Sequence, residues 1–219
     1  MIYLATGHSH VGKRENNEDV FLFTEDLFLV ADGIGGHQAG EVASTAAAVA
    51  IEKTVEQFQS GSAAEVLRQA VINADQFIYK RGRAKREHSG MGTTIVALLF
   101  RAGIAAVSHA GDSRCYRMRQ PGNLEQITQD HAAKGSHIIH RSLGGGNHEG
   151  GEMREFDVKI GDVYLLCSDG LNVLSDKRIE DILRDGGEAE DLVLAALALD
   201  EHHQDNVTAL VVRVVKGRP

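Results

Sequence analysis

Apolar positions along this chain fall into two rhythms. Short runs, continuous or alternating, predict strands at residues 2–6 (IYLAT), 19–23 (DVFLF), 27–31 (LFLVA), 93–100 (TTIVALLF) and 104–110 (IAAVSHA). Further strands are expected at 114–119, 123–128, 152–158, 163–167 and 206–215. Turn signals such as RAG, QPGN and KIGD separate them at short intervals, which implies antiparallel hairpins rather than helical crossovers. Longer amphipathic stretches predict helices at 39–58, 62–81, 175–185 and 188–199. The first puts Val42, Ala46, Val49 and Ala50 near one face, with alanines that permit close helix packing. The second opens with Ser62 and Glu65 at the spacing of a capping box. Many strands with helices grouped toward both ends of the chain predict a layered α+β domain, two packed sheets covered by helices. No linker composition or internal repeat divides residues 1–219, so one domain is expected.

Composition narrows the picture. Apolar residues make up 42% of the 219 positions and charged residues 25%, ordinary values for a globular chain with a real core. A formal charge of −8 argues against nucleic acid or an anionic membrane as a main partner. The opening MIYLATGHSH lacks the basic and apolar regions of a signal peptide, and the longest apolar run, LVLAALAL at 192–199, is too short to span a bilayer. Cys115 and Cys167 lie in apolar runs without zinc or redox spacing, which fits reduced core thiols in a cytoplasmic protein.

One arrangement recurs four times: an aspartate at the edge of an apolar strand, as Asp32 in FLVADG, Asp112 in AVSHAGDSR, Asp169 in VYLLCSDG and Asp205 in HQDNVTALVV. A single such residue is ordinarily a turn or a helix cap. Four carboxylates at buried strand ends are costly unless something neutralises them, and a shared cation site explains them jointly. Oxygen ligands select hard cations, Mg²⁺ or Mn²⁺. The pairs HSH (8–10) and HH (202–203) are weak zinc candidates and read better as surface histidines. In GKRENNEDVF, Glu18 and Asp19 abut a strand and Arg14 lies four residues before Glu18. That run is either a solvated charge cluster or, beside a metal pair, a guanidinium clamp for phosphate. GIGGHQAG misses the dinucleotide fingerprint, and Asp32 would oppose a pyrophosphate there.

RENNED, ADGIGGHQAGEVAS, GMGTT, HAGDSR, LLCSDGL and DNVT occur in that order, and together they resemble the metal-dependent Ser/Thr protein phosphatases of type 2C (the PPM family), in its compact bacterial form. The resemblance runs from about residue 5 to 214 and implies a four-layer αββα sandwich. It also implies metal-dependent hydrolysis of phosphoserine and phosphothreonine in proteins, opposing a bacterial Ser/Thr kinase, by a cytoplasmic monomer. Two ions, Mn²⁺ or Mg²⁺, would be bridged by Asp32, with the Gly33 carbonyl, Asp169, Asp205 and Glu18 as further ligands. Asp112, with Asp169, would hold a third, weaker ion, Asp19 would support the shell, and Arg14 would bind the substrate phosphate. The GMGTT run would be structural. Two departures stand out. Ile34 follows Gly33 where eukaryotic relatives carry a histidine, leaving His37 as either the general acid or a helix cap. After ITQDH only a glycine-rich stretch precedes the next strand, so the flap of the relatives is expected to be shortened and peptide sequences poorly discriminated. A phosphoprotein-binding module with little turnover is the alternative reading.

Overall fold

Strand β3 (Leu27–Ile34) is the spine of the molecule, with Leu27, Phe28, Leu29, Val30 and Ala31 all buried. A strand apolar on both faces must be covered on both, and the chain supplies a helix layer on one side and a second sheet on the other. The structure, a computed structural model, describes residues 1–34, 38–119, 121–133, 138–146, 150–199 and 205–217.

One antiparallel sheet runs in the order β2 (Asp19–Phe23), β3, β5 (Ile95–Arg101), β6 (Ile104–Ala110) and β9 (Glu152–Asp157), with the short β4 (Gly92–Thr93) paired to the end of β3. The other runs β1 (Ile2–His10), β11 (Val207–Val215), β10 (Val163–Cys167), β7 (Arg114–Met118) and β8 (Leu124–Gln126). Between the sheets, Phe28, Val96, Leu98, Phe100, Tyr164, Leu166 and Val212 form one core. Helices α1 (Gln38–Gln57) and α2 (Ala63–Ala84) cover the outer face of the first sheet, and α3 (Asp176–Arg184) and α4 (Ala189–Leu199) cover the second. Two antiparallel sheets flanked by helices are thus present as expected.

Helix α2 starts where the capping box predicts: Ser62 Oγ accepts from Glu65 N at 3.2 Å and Ser62 N donates to Glu65 Oε2 at 3.0 Å. On α1, Ala46 is buried and Val42 and Ala50 pack on the core as expected, but Val49 is a correction: it is 39% exposed, whereas Ala43, Ala47 and Ile51 are fully buried. Small residues face the sheet because α1 packs closely against β3 and α2, and the bulkier Val49 is turned outward. Asp32 also lies inside β3 rather than at its end, because β4 extends the pairing to Gly33 and Ile34. Among the described residues no helix is long and apolar enough to cross a membrane.

Candidate metal centre

The strand pairing itself gathers charge. Asp19 on β2 stands directly opposite Asp32 on β3, so two carboxylates share one register position. Asp112 follows β6, Asp169 opens the 3₁₀ turn after β10 (Asp169–Val173), and Asp205 precedes β11. Both sheets therefore deliver acids to one edge of the sandwich. There Glu18, Asp32, Gly33, Asp112, Asp169 and Asp205 line a common cleft of about 570 Å³, with Arg14 and Lys13 at its side. His37 lies outside the described residues.

The acids are held by a framework of backbone and hydroxyl contacts. Asp32 N donates to Thr94 Oγ1 at 3.0 Å, and Thr93 Oγ1 donates to Asp32 O at 2.8 Å. Thr94 Oγ1 also meets Ser113 Oγ at 2.7 Å, which ties the Asp32 strand to the turn carrying Asp112. The threonines of GMGTT therefore brace two acidic residues at once. Glu18 is fixed through its backbone: its N–H donates to Asn206 Oδ1 at 2.8 Å, and its carbonyl accepts from Ser44 Oγ at 2.6 Å and Gly33 N at 3.2 Å. Asn206 Nδ2 donates to Val11 O and Asn16 O at 2.9 and 3.0 Å. It holds the loop that carries Arg14 and Glu18, a role that nothing in its single DN context could assign. Asp19 accepts from Ser168 Oγ at 2.7 Å, anchoring β2 to the second sheet.

The glycine after Asp32 has a packing reason. A Cβ on Gly33 would fall on the backbone of Gly40, and a Cβ on Gly40 would fall on the Glu18 carboxylate. The first turn of α1 thus lies against β3 through two bare residues, with the Glu18 carboxylate over them. A side chain at Gly40 would displace the Glu18 carboxylate, and one at Gly33 would push the start of α1 off β3.

Arg14 donates to Asp205 Oδ2 at 2.6 Å from a largely exposed position at the cleft rim. Burial pushes the Asp32 carboxyl well above the usual carboxylate range, and the charges of Asp19, Asp169, Asp112 and Asp205 push it further. Asp19 is also pushed up, first by burial, against the lowering effect of its hydroxyl donors. Seven carboxylates line or adjoin this cleft, Glu15, Glu18 and Asp19 included, against the two cations Lys13 and Arg14. Their mutual repulsion, their oxygen-only donor set and the Gly33 backbone at the cleft fit hard divalent cations.

A different group of metal-type ligand atoms, from His109, His131 and Glu152, lies within 4.8 Å of one another. Its hydrogen bonds serve the acidic edge instead. Gly111 N donates to His131 Nδ1 at 3.2 Å, and His109 Nε2 meets Gly111 O at 2.9 Å. With Nδ1 of His131 accepting, its ring proton sits on Nε2 facing Glu152 Oε2 at 3.4 Å. A metal on Nε2 would drive that proton to Nδ1, against the Gly111 N–H. The two rings, stacked at 4.3 Å, clamp the turn that presents Asp112. Burial holds both below the usual histidine range, His109 at about 4.

The repulsion has a measurable consequence. A carboxyl whose folded pKa is raised contributes stability that is present below the unfolded value and lost as pH rises through the folded one. In chelator, Asp32→Asn should therefore have a higher Tm than wild type, and the gap should widen from about pH 5 to about pH 8. Thermal melts across that range check it; a gap that closes with pH would contradict the raised Asp32 carboxyl that burial and the neighbouring charges produce.

Comparison with known proteins places this geometry. A family model described as protein phosphatase 2C matches residues 6–201. The serine/threonine protein phosphatase PstP of Mycobacterium tuberculosis is 36% identical over 223 residues; the match covers 92% of this chain but 43% of the relative, so this chain spans under half its length. The serine/threonine phosphatase stp of Listeria welshimeri is 32% identical, with 94% of each chain covered. Among solved structures, the PstP catalytic domain, described as a complex with 2 manganese ions, superposes with a TM-score of 0.89 at 33% identity, covering 98% of this chain and 99% of that one. With two antiparallel sheets flanked by helices and a family model matched over residues 6–201, this chain belongs to the protein phosphatase 2C family.

Proposed function

We propose that this chain is a metal-dependent protein phosphatase that removes phosphate from serine and threonine residues of proteins. The observation that carries the reading is the convergence of Asp32, Asp169, Asp205, Asp112 and Glu18 on one cleft with an arginine at its rim. Asp32, the Gly33 carbonyl, Asp169, Asp205 and Glu18 would hold two ions, and Asp112 with Asp169 a third. Bound there, Mn²⁺ or Mg²⁺ supplies Lewis acidity toward phosphoryl oxygens and lowers the pKa of water at the site; the mycobacterial relative's manganese complex supports that choice.

The chain's own groups do the rest. Arg14 exchanges its contact with Asp205 for the substrate phosphate, whose oxygens match the guanidinium fork. Asn206 keeps that arginine and Glu18 in register by pinning both ends of their loop. His37 is the residue type suited to protonating the leaving oxygen. Neither cysteine is suited to act as a nucleophile, since both are fully buried and burial pushes the Cys115 and Cys167 thiols far from ionisation, Cys167 to about 12. Free buried thiols also support a reducing, cytoplasmic setting. We further propose that it acts as a single-domain monomer on phosphoproteins, those of an opposing kinase included. We read the stretch 132–151 as a reduced flap: its described residues form the isolated bridges Ala132–Ile139 and Thr93–Leu143, with no helix or named strand.

With Mn²⁺ and a phosphoserine peptide, Asp32→Asn should lower kcat/KM by at least about 100-fold without altering the far-UV circular dichroism, and EDTA should have the same effect reversibly. Undiminished turnover in excess chelator would overturn the reading. Arg14→Ala should raise KM by about tenfold or more, with a smaller change in kcat, because it removes a charged contact to the ground-state phosphate. Steady-state kinetics on the same peptide separate the two constants, and an unchanged KM would return Arg14 to a surface role.

A further inference from the structure

A second cleft, of about 560 Å³, adjoins the acidic one, and Ile34 lines both. Its charge is opposite. Arg83, Lys85 and Arg86 line it, and among the described residues no carboxylate does. Arg83 is steadied by Tyr79 through a 2.9 Å hydrogen bond to the phenol oxygen and a stack over the ring, contacts that leave its charge uncompensated. Lys85 meets Glu87 at 3.5 Å in an exposed pair, an arrangement that neutralises little. In a chain of net charge −8, three cations lining one cleft with only the exposed Glu87 paired to one of them, next to a cleft rich in acids, are a local reversal.

The groove is also a built feature. Its wall, residues 142–146, is pinned on two sides: Gly144 N donates to the buried Asp75 of α2 at 2.7 Å, and Leu143 exchanges backbone bonds with Thr93 at 2.9 and 3.1 Å. Gly82, Gly90, Gly92, Gly144 and Gly145 leave much of the lining as bare backbone. A trough of that kind admits an extended chain, and its cations select the charge of what lies in it.

We infer that this groove receives acidic residues flanking the phosphorylated serine or threonine, so that substrates with Asp or Glu beside the phosphosite are preferred. The inference rests on the phosphatase reading, which puts the phosphate in the neighbouring acidic cleft. The preference acts through charge rather than side-chain fit. It is therefore compatible with a lightly covered site and should be modest and sensitive to salt.

The test compares kcat/KM, with Mn²⁺, on phosphopeptides differing only in acidic or neutral flanks, alongside p-nitrophenyl phosphate. The acidic peptide should be favoured by about three- to tenfold near 0.1 M salt, and the advantage should vanish near 1 M salt, where the screening length falls to about 3 Å. Arg83→Gln/Arg86→Gln should erase the advantage and leave p-nitrophenyl phosphate hydrolysis unchanged. A Cβ at Gly145 meets nothing within 4 Å, so the backbone there has room to start a side chain, and Gly145→Phe, which adds a ring at the groove lining, should slow both peptides but not the small ester. Equal rates on the two peptides, with the small ester hydrolysed, would overturn the groove and leave the phosphatase reading standing. If no ester is hydrolysed, fluorescence anisotropy of the labelled acidic peptide decides: binding lost in the double arginine variant upholds the groove against a failed phosphatase reading, and no binding overturns both.

Discussion

Mutual repulsion among carboxylates at one edge of the sandwich governs much of this structure. Asp19 faces Asp32 across β2 and β3, and Asp112, Asp169 and Asp205 add to the field at Asp32. A folded chain keeps such a cluster only if the surrounding framework over-determines it, and here Glu18, Asp19 and Asp32 are tied by backbone, hydroxyl or amide contacts to neighbouring elements. Thr93, Thr94, Ser113, Ser44, Asn206 and Ser168 form that framework, drawn from α1 and from the ends of several strands. Stability given up locally is what makes the edge attractive to cations.

Much of the fold was legible in the chain. Strands 19–23, 104–110 and 163–167 fall where the apolar runs place them, and the Ser62–Glu65 box starts its helix as spaced. What failed did so for reasons of packing. The buried face of α1 is set by how closely its alanines approach β3, a distance that periodicity does not encode, so Val49 was assigned to the wrong side. Asp32 proved to be inside its strand because β4 pairs there, a long-range contact invisible to a local pattern.

The candidate acids were likewise visible as a recurrence, because each sits beside an apolar run. Their support was not. Asn206 contacts Glu18, Val11 and Asn16, up to 195 positions away in the chain. The His109–His131 clamp on Gly111 depends on a stack between a strand and a distant loop. The need for glycine at position 33 is set by Gly40, which a Cβ there would strike and which no local pattern reveals. The basic groove escaped notice because its cations come from the end of α2 and its wall from a loop some sixty residues later.

The central claim is that this acidic edge exists to hold a pair of divalent cations. Isothermal titration of Mn²⁺ into the metal-free protein near pH 7 tests it most directly. The account predicts two ions per chain at the tight sites, with Asp32→Asn losing both because that residue would bridge them. Tight binding that is unchanged in Asp32→Asn, or no binding by the wild-type chain, would contradict it.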